Sequence, residues 1–126
     1  MAKVYVSWNQ VEDFVRDIEY KQKNGEYNFT GVYGLPRGGL VLAVMISHKL
    51  NIPMLMSPCP GCIIVDDICD TGESLLHYVK NSSGDKVQDY TIATMYYKEN
   101  ILGIVPDIYS YVKDNEWIVF PWELGG

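Results

Sequence analysis

Apolar residues Val11, Phe14, Val15 and Ile18 recur at intervals of three and four, the spacing of one face of an α-helix. Ser7 lies just ahead with Gln10 three positions on, a pairing that satisfies the first unpaired helix amides as a capping box, and Asn24-Gly25 marks the helix end. Before this helix, residues 4–7 (VYVS) read as a short strand. After it, residues 30–33 read as a strand, 34–39 as a glycine-rich loop, and 40–50 as a helix that is apolar almost all round. Such a helix has no polar face to turn to water and is expected to lie against a sheet. Residues 54–56 and 62–65 read as strands and 72–80 as a helix with Leu75, Leu76 and Val79 inward; 90–97, 108–112 and 117–120 read as further extended segments.

Strands alternating with helices, the middle strands being continuous apolar runs, predict an α/β fold: a mostly parallel sheet flanked by helices on both faces. In open sheets of this kind the ligand sits beyond the carboxyl ends of the strands. Two loops, GLPRGG (34–39) and DDICDTG (66–72), leave the carboxyl ends of predicted strands and so belong to one rim. No repeat, low-complexity tract or linker interrupts the pattern, and residues 1–126 are expected to form a single domain.

Composition narrows the function. With 48% hydrophobic and 21% charged residues over 126 positions, the chain can bury a core and does not read as disordered. No apolar run approaches the ~20 residues of a membrane span, and the opening MAKVYVSWNQ lacks the charged-then-apolar design of a signal peptide, so a cytoplasmic protein without membrane attachment is the expectation. A net charge of −6 and a pI near 4.7 disfavour nucleic-acid partners, whose binding leans on clustered Lys and Arg. Small phosphorylated ligands stay compatible, because one Arg or a helix N-terminus can hold them. Cys59-Pro60-Gly61-Cys62 has the spacing of a redox pair or half a metal site, but Pro-Gly is a turn dipeptide and Cys62 leads into a strand rather than a helix. A turn with two flanking thiols is the expectation.

The acidic loop carries the most chemistry. Asp66 and Asp67 fall where the strand is expected to leave the core, and two adjacent carboxylates are best tolerated where hydroxyl donors or a cation fill the gap between them. Asp70-Thr71-Gly72-Glu73-Ser74 then supplies a tight turn into a helix, with hydroxyls and outward-pointing amides suited to an anion. The two ends are spaced like the hydroxyls and the phosphate of a ribose 5-phosphate. On the residues alone, two other readings stay open. One is a solvated loop in which Asp70 or Thr71 merely caps the helix; the other is a receiver-type phosphoacceptor site in which clustered acids hold magnesium, with Thr94 and Lys98 completing the set.

The string IIVDDICDTGESL (63–75) resembles the phosphoribosyl-pyrophosphate (PRPP) motif of type I phosphoribosyltransferases. GLPRGGLVLAVMISHKLNIP (34–53) is similar to the pyrophosphate-loop segment of xanthine-guanine phosphoribosyltransferases, and WIVFPWE (117–123) to the segment that closes over the purine in the same enzymes. Together the three cover much of the chain in the right order. The resemblance implies a three-layer type I phosphoribosyltransferase-like fold with a small C-terminal hood, and transfer of the ribose 5-phosphate of PRPP to an oxopurine with magnesium. It implies that Asp66 and Asp67 bind the ribose hydroxyls, directly or through Mg2+, and that Asp70, Thr71, Gly72, Glu73 and Ser74 wrap the 5-phosphate. Asp70 would also serve as general base or proton shuttle. Arg37 with Gly38 and Gly39 would hold the pyrophosphate, Lys98 would donate to the purine 6-oxygen, Trp117 would stack on the base, and Ile118 and Glu123 would read its far edge. A cis Pro36–Arg37 peptide and a homodimer or homotetramer are further implications.

The match departs in two places. Where these enzymes carry a long flexible loop that folds over the site, only residues 51–61 connect the buried helix to the PRPP motif, which leaves no room for a lid of ordinary length. Val119 and Phe120 stand where the enzymes tend to carry polar residues. Both departures keep a second function in view, a non-catalytic regulatory protein that binds PRPP or a nucleotide.

Overall fold

The structure, a computed structural model, describes residues 2–79 and 90–123. Its centre is a parallel sheet of four strands in the order β2 (Val32–Gly34), β3 (Ile63–Cys69), β4 (Thr91–Tyr97) and β5 (Ile108–Val112). A separate parallel ribbon joins β1 (Lys3–Tyr5) to β6 (Trp117–Val119). The helices are α1 (Trp8–Lys23), α2 (Gly38–Leu50) and α3 (Leu76–Val79).

Side-chain alternation along the strands sorts the core into two layers. Ile63, Val65, Ala93 and Met95 point to one face, where they meet Val11, Phe14, Val15 and Ile18 of α1 and Leu42, Ala43 and Ile46 of α2. Ile64 and Ile92 point to the other, under Leu35, Leu75 and Ile104; beyond the acid pair the alternation changes phase, so that Ile68 packs on the first layer and Cys69 on the second. The apolar helix predicted at 40–50 packs against both α1 and the sheet through Leu42, Ala43 and Ile46, while Leu40 and Val44 stay exposed. The capping box at the start of α1 forms as expected: the Gln10 amide donates to Ser7 Oγ at 3.1 Å, and the Ser7 amide donates to the Gln10 side chain at 2.9 Å.

Four local expectations change. Residues 54–56 make no strand; Met54 contributes an isolated bridge to Val32, because Pro53 and Leu55 satisfy only one turn of ladder with β2. The strand expected to end at Val65 runs on to Cys69, with Asp66, Ile68 and Cys69 in register with Thr94, Tyr96 and Tyr97. Of the helix expected at 72–80, the described residues form only Leu76–Val79, and the amides of Leu75 and Leu76 reach back only three residues, to the carbonyls of Gly72 and Glu73. Its inward set is met by the buried Leu75 and the half-buried Leu76, while the Val79 side chain and Lys80 lie outside the described residues. Finally, the strand expected at 4–7 forms at Lys3–Tyr5, which leaves Ser7 to cap α1; it pairs with the C-terminal β6, and this ribbon is the hood, anchored by buried Ile118 and Phe120.

Candidate functional site

The extension of β3 changes how the acid pair is held. Asp66 and Asp67 are strand residues, partly buried rather than loop residues in water. Each carboxylate accepts its neighbour's amide: Asp67 N–H donates to Asp66 Oδ1 and Ile68 N–H to Asp67 Oδ1, both at 2.8 Å. Burial first, and then the adjacent Asp67 charge, pushes the Asp66 carboxyl up to about 8. Asp67 is raised as well, mainly by burial, with Glu123 of the hood adding its negative charge. Both carboxyls are thus held toward the protonated form, chiefly by burial. A group raised in this way favours folding below the ordinary Asp value of 3.8, and that contribution is lost as pH climbs through about 8. Asp66→Asn is therefore expected to raise the Tm of the ligand-free protein by about 5 °C at pH 8, with the gain vanishing by about pH 4, as read by calorimetry across pH.

The GLPRGG loop packs onto the same strand. Gly38 and Gly39 open α2, and there is no space for a side chain at either. A Cβ on Gly38 would meet the Asp67 carboxylate, and one on Gly39 would meet the Val65 carbonyl oxygen. This close approach lays the first turn of a 13-residue helix beside the acid pair, with no acidic residue in that turn. Arg37, exposed at the α2 N-cap, has no carboxylate within salt-bridge distance among the described residues. The Pro36–Arg37 peptide is cis, as the resemblance implied.

On the other side of the acids, residues 70–75 curl into a recess of about 90 Å³ lined by Asp70, Thr71, Gly72, Ser74 and Leu75 with Ile68 and Cys69 at its base. Gly72 makes the turn at φ +86°, a left-handed value, and a Cβ there would lie 2.8 Å from Ile104. The Glu73 amide donates to Thr71 Oγ1 at 3.2 Å. A wider pocket of about 300 Å³ opens next to it, bounded by Asp70, Thr71, Glu73 and the 98–102 segment that includes Lys98. A larger groove of about 360 Å³ between α1 and α2 is lined by none of the predicted site residues.

The hood supplies the remaining candidates. The Trp117 side chain is 59% exposed, so it is not a core tryptophan and keeps a ring face open for stacking. The Trp117 amide donates to Ala2 and the Val119 carbonyl accepts from Val6, so those two residues face β1, and the amide and carbonyl of the intervening Ile118 face the opposite edge. Glu123 is turned back on its own loop, one oxygen accepting the Phe120 amide at 2.8 Å. Phe120, odd in the sequence comparison, is a core residue stacked on Trp122 at 4.9 Å.

The receiver-type alternative left open by the sequence fares less well. Thr94, needed for a receiver-type site, is fully buried and spends its hydroxyl on the Tyr96 carbonyl at 2.9 Å. Cys69, inside the motif, is held as a thiol, its pKa pushed to about 11 by burial and then by Asp66 and Asp70, which makes it a poor nucleophile. Cys59 and Cys62 are free thiols flanking a turn closed by the Cys62 amide on the Cys59 carbonyl.

One residue of this rim went unpredicted. Lys113, immediately after β5, is only 9% exposed, and its ammonium lies 3.6 Å from Asp70 Oδ2. Nothing in YVKDNE marks that lysine as inward-facing; the register with β3 and β4 is what reveals it.

A parallel sheet whose carboxyl rim gathers an acid pair, an anion-sized turn and an Arg-Gly-Gly helix start, beneath a hood made from the chain's C-terminal segment, defines the type I phosphoribosyltransferase fold. No protein-family model matches the chain. The xanthine-guanine phosphoribosyltransferase of Chromohalobacter salexigens is 25% identical over 142 aligned residues, covering 95% of this chain and 83% of that protein. The crystal structure of the purine phosphoribosyltransferase from Pyrococcus horikoshii superposes with a TM-score of 0.77 at 30% identity, covering 100% of this chain and 97% of that one. A Neisseria gonorrhoeae protein crystallised with bound ppGpp superposes with a TM-score of 0.71 at 16% identity, covering 98% and 90%. The chain belongs to the purine phosphoribosyltransferase family.

Proposed function

We propose that this protein transfers the ribose 5-phosphate of PRPP to an oxopurine (xanthine, guanine or hypoxanthine), releasing pyrophosphate. The observation that supports the reading is the meeting of Asp67 with Gly38 at one side and the 70–75 recess at the other, an acid pair suited to hydroxyls set between two places suited to anions at one strand end. In this reading Asp66 and Asp67 take the ribose hydroxyls and Asp70 to Ser74 enclose the 5-phosphate through amides and hydroxyls. Arg37, Gly38 and Gly39 receive the pyrophosphate. Lys98 and the Ile118 backbone address the base while Trp117 stacks on it, and Glu123 reads its edge.

Departure of pyrophosphate leaves positive charge on the ribose and negative charge on the leaving group. Arg37, unpaired with any acid among the described residues, stabilises the latter in a bidentate fashion. Asp66 and Asp67 fix the sugar between base and leaving group, and that alignment is worth up to ~7 to 11 kcal/mol in favourable cases. Asp70, half exposed at the mouth of the wider pocket, accepts or relays the purine proton.

The donor set fits magnesium. Two crowded, partly buried carboxylates whose proton affinity is raised favour a cation between them, and among the described residues no cluster of three or more acids, His or Cys could hold one unaided. Magnesium prefers such a pair of carboxylates completed by substrate oxygens. When bound, it supplies charge neutralisation of the pyrophosphate.

Incubation with PRPP, magnesium and each base is expected to release pyrophosphate with at least one oxopurine and none with uracil. PRPP binding without product from any base would replace this reading with the second one, a nucleotide-binding regulator. That second reading is favoured by the short connection between α2 and β3, residues 51–62, and by the ppGpp-bound neighbour.

A further inference from the structure

Lys113 breaks the local pattern of its strand. At the end of β5, Val112 is 68% exposed while the lysine after it is 9% exposed, the reverse of what solvation asks of the two side chains. Burying an ammonium is costly unless it is paired, and a lysine one residue past a strand end has an easy route to water. Lys113 instead turns inward, donates to the Asp114 carbonyl at 3.0 Å, and stands 3.6 Å from Asp70 Oδ2.

The sheet register shows how far it reaches. Cys69 pairs with Tyr97 and Tyr97 with Val112, so Asp70, Lys98 and Lys113 follow the ends of three adjacent strands in one row. Strands lie ~4.8 Å apart. Lys113 therefore crosses the end of β4 to touch the acid that follows β3, and its amide donates to the Tyr97 carbonyl at 2.9 Å on the way. Lys98, between them, donates to Asn115 and not to Asp70. Asp70 is 52% exposed and is gripped from beneath at one oxygen only, with Oδ1 left uncommitted among the described residues beside the pocket of about 300 Å³.

We propose that Lys113 is a positioning residue: anchored on the Asp114 carbonyl, its ammonium sets the Asp70 carboxylate at the pocket mouth, and this contact governs the affinity for a purine nucleoside 5′-monophosphate. The inference rests on the nucleotide site proposed above and adds to it a residue that never touches the ligand. A residue that merely tied β5 to the neighbouring loop would change stability and affinity independently of the Asp70 charge; a positioning residue acts only through it.

The test is a double-mutant cycle read by calorimetric titration with GMP. Lys113→Met is expected to weaken GMP binding about tenfold in the wild-type background and less than twofold in Asp70→Asn, whereas Lys113→Arg stays within about threefold of wild type. Lys113→Gln, which keeps a donor for the Asp114 carbonyl but is too short to cross β4, is expected to match Lys113→Met and serves in the cycle if the methionine variant does not fold. Equal losses in both backgrounds, or unchanged affinity in Lys113→Gln, would overturn the proposal while leaving the nucleotide site standing. Wild-type protein that fails to bind GMP would overturn both, and an intact coupling in a protein that releases no pyrophosphate would overturn the transferase reading alone.

Discussion

Replacing Asp66 and Asp67 together by asparagine is expected to abolish magnesium-dependent PRPP binding, a loss of at least about a hundredfold by calorimetry with and without the metal. The two carboxylates are the acids of β3 beside the α2 start, and burial raises the proton affinity of both, with the Asp67 charge adding to that of Asp66, a setting that favours a positive partner. Asparagine keeps the size and the ability to accept the Asp67 and Ile68 amides but removes the charge that a cation and sugar hydroxyls require. The same substitution should leave the fold intact, since it removes repulsion and a desolvated charge instead of a favourable contact. Retained affinity with unchanged metal dependence would show that the ribose lies elsewhere.

The largest expected effect on stability is that of Gly39→Ala. The added methyl would press on the Val65 carbonyl oxygen and sit 3.2 Å from the Asp66 Cα, all main-chain atoms of a central strand that cannot swing aside as a side chain would. Either α2 backs away from β3 or the strand bows, and overpacking of this kind costs about 3 kcal/mol, equivalent to a fall in Tm of roughly 10 °C. Gly38→Ala pushes against the Asp67 side chain and should show its damage in PRPP affinity more than in Tm. A Tm for Gly39→Ala within a degree or two of wild type would mean that the helix does not rest on the strand this closely.

The comparison of sequence and structure divides along physical lines. Elements written in side-chain periodicity were legible: the α1 stripe, the all-apolar α2 and the β4 and β5 segments fall where the pattern placed them, because burial of those side chains is what forms them. The end of β3 was misjudged because charge reads as exposure. Asp66 stays in the ladder by pairing with Thr94 of β4, and Asp67 is carried between that pair and the next, Ile68 with Tyr96, which no side chain announces. Residues 54–56 look like a strand on composition, yet a strand needs a partner along its length, and β2 offers only a single bridge. The motif residues were legible in their placement, since the paired acids and the Asp-Thr-Gly turn come together at the carboxyl end of one strand. Lys113 was not, because its role depends on three strand ends coming level, and that is a property of register rather than of any short stretch of sequence.

The edge of the hood presented by Ile118 is made of main-chain atoms, its side chain being committed to the core beneath. A ligand read there meets an amide and a carbonyl that every amino acid except proline carries, so substitutions at this position alter packing but cannot rewrite the donor and acceptor pattern. Discrimination at that edge changes only if the ribbon slides against β1, where a one-residue slip would invert every side chain in it. On the proposed base-reading role, natural drift at this position should therefore preserve the kind of molecule accepted long after the surrounding residues have diverged.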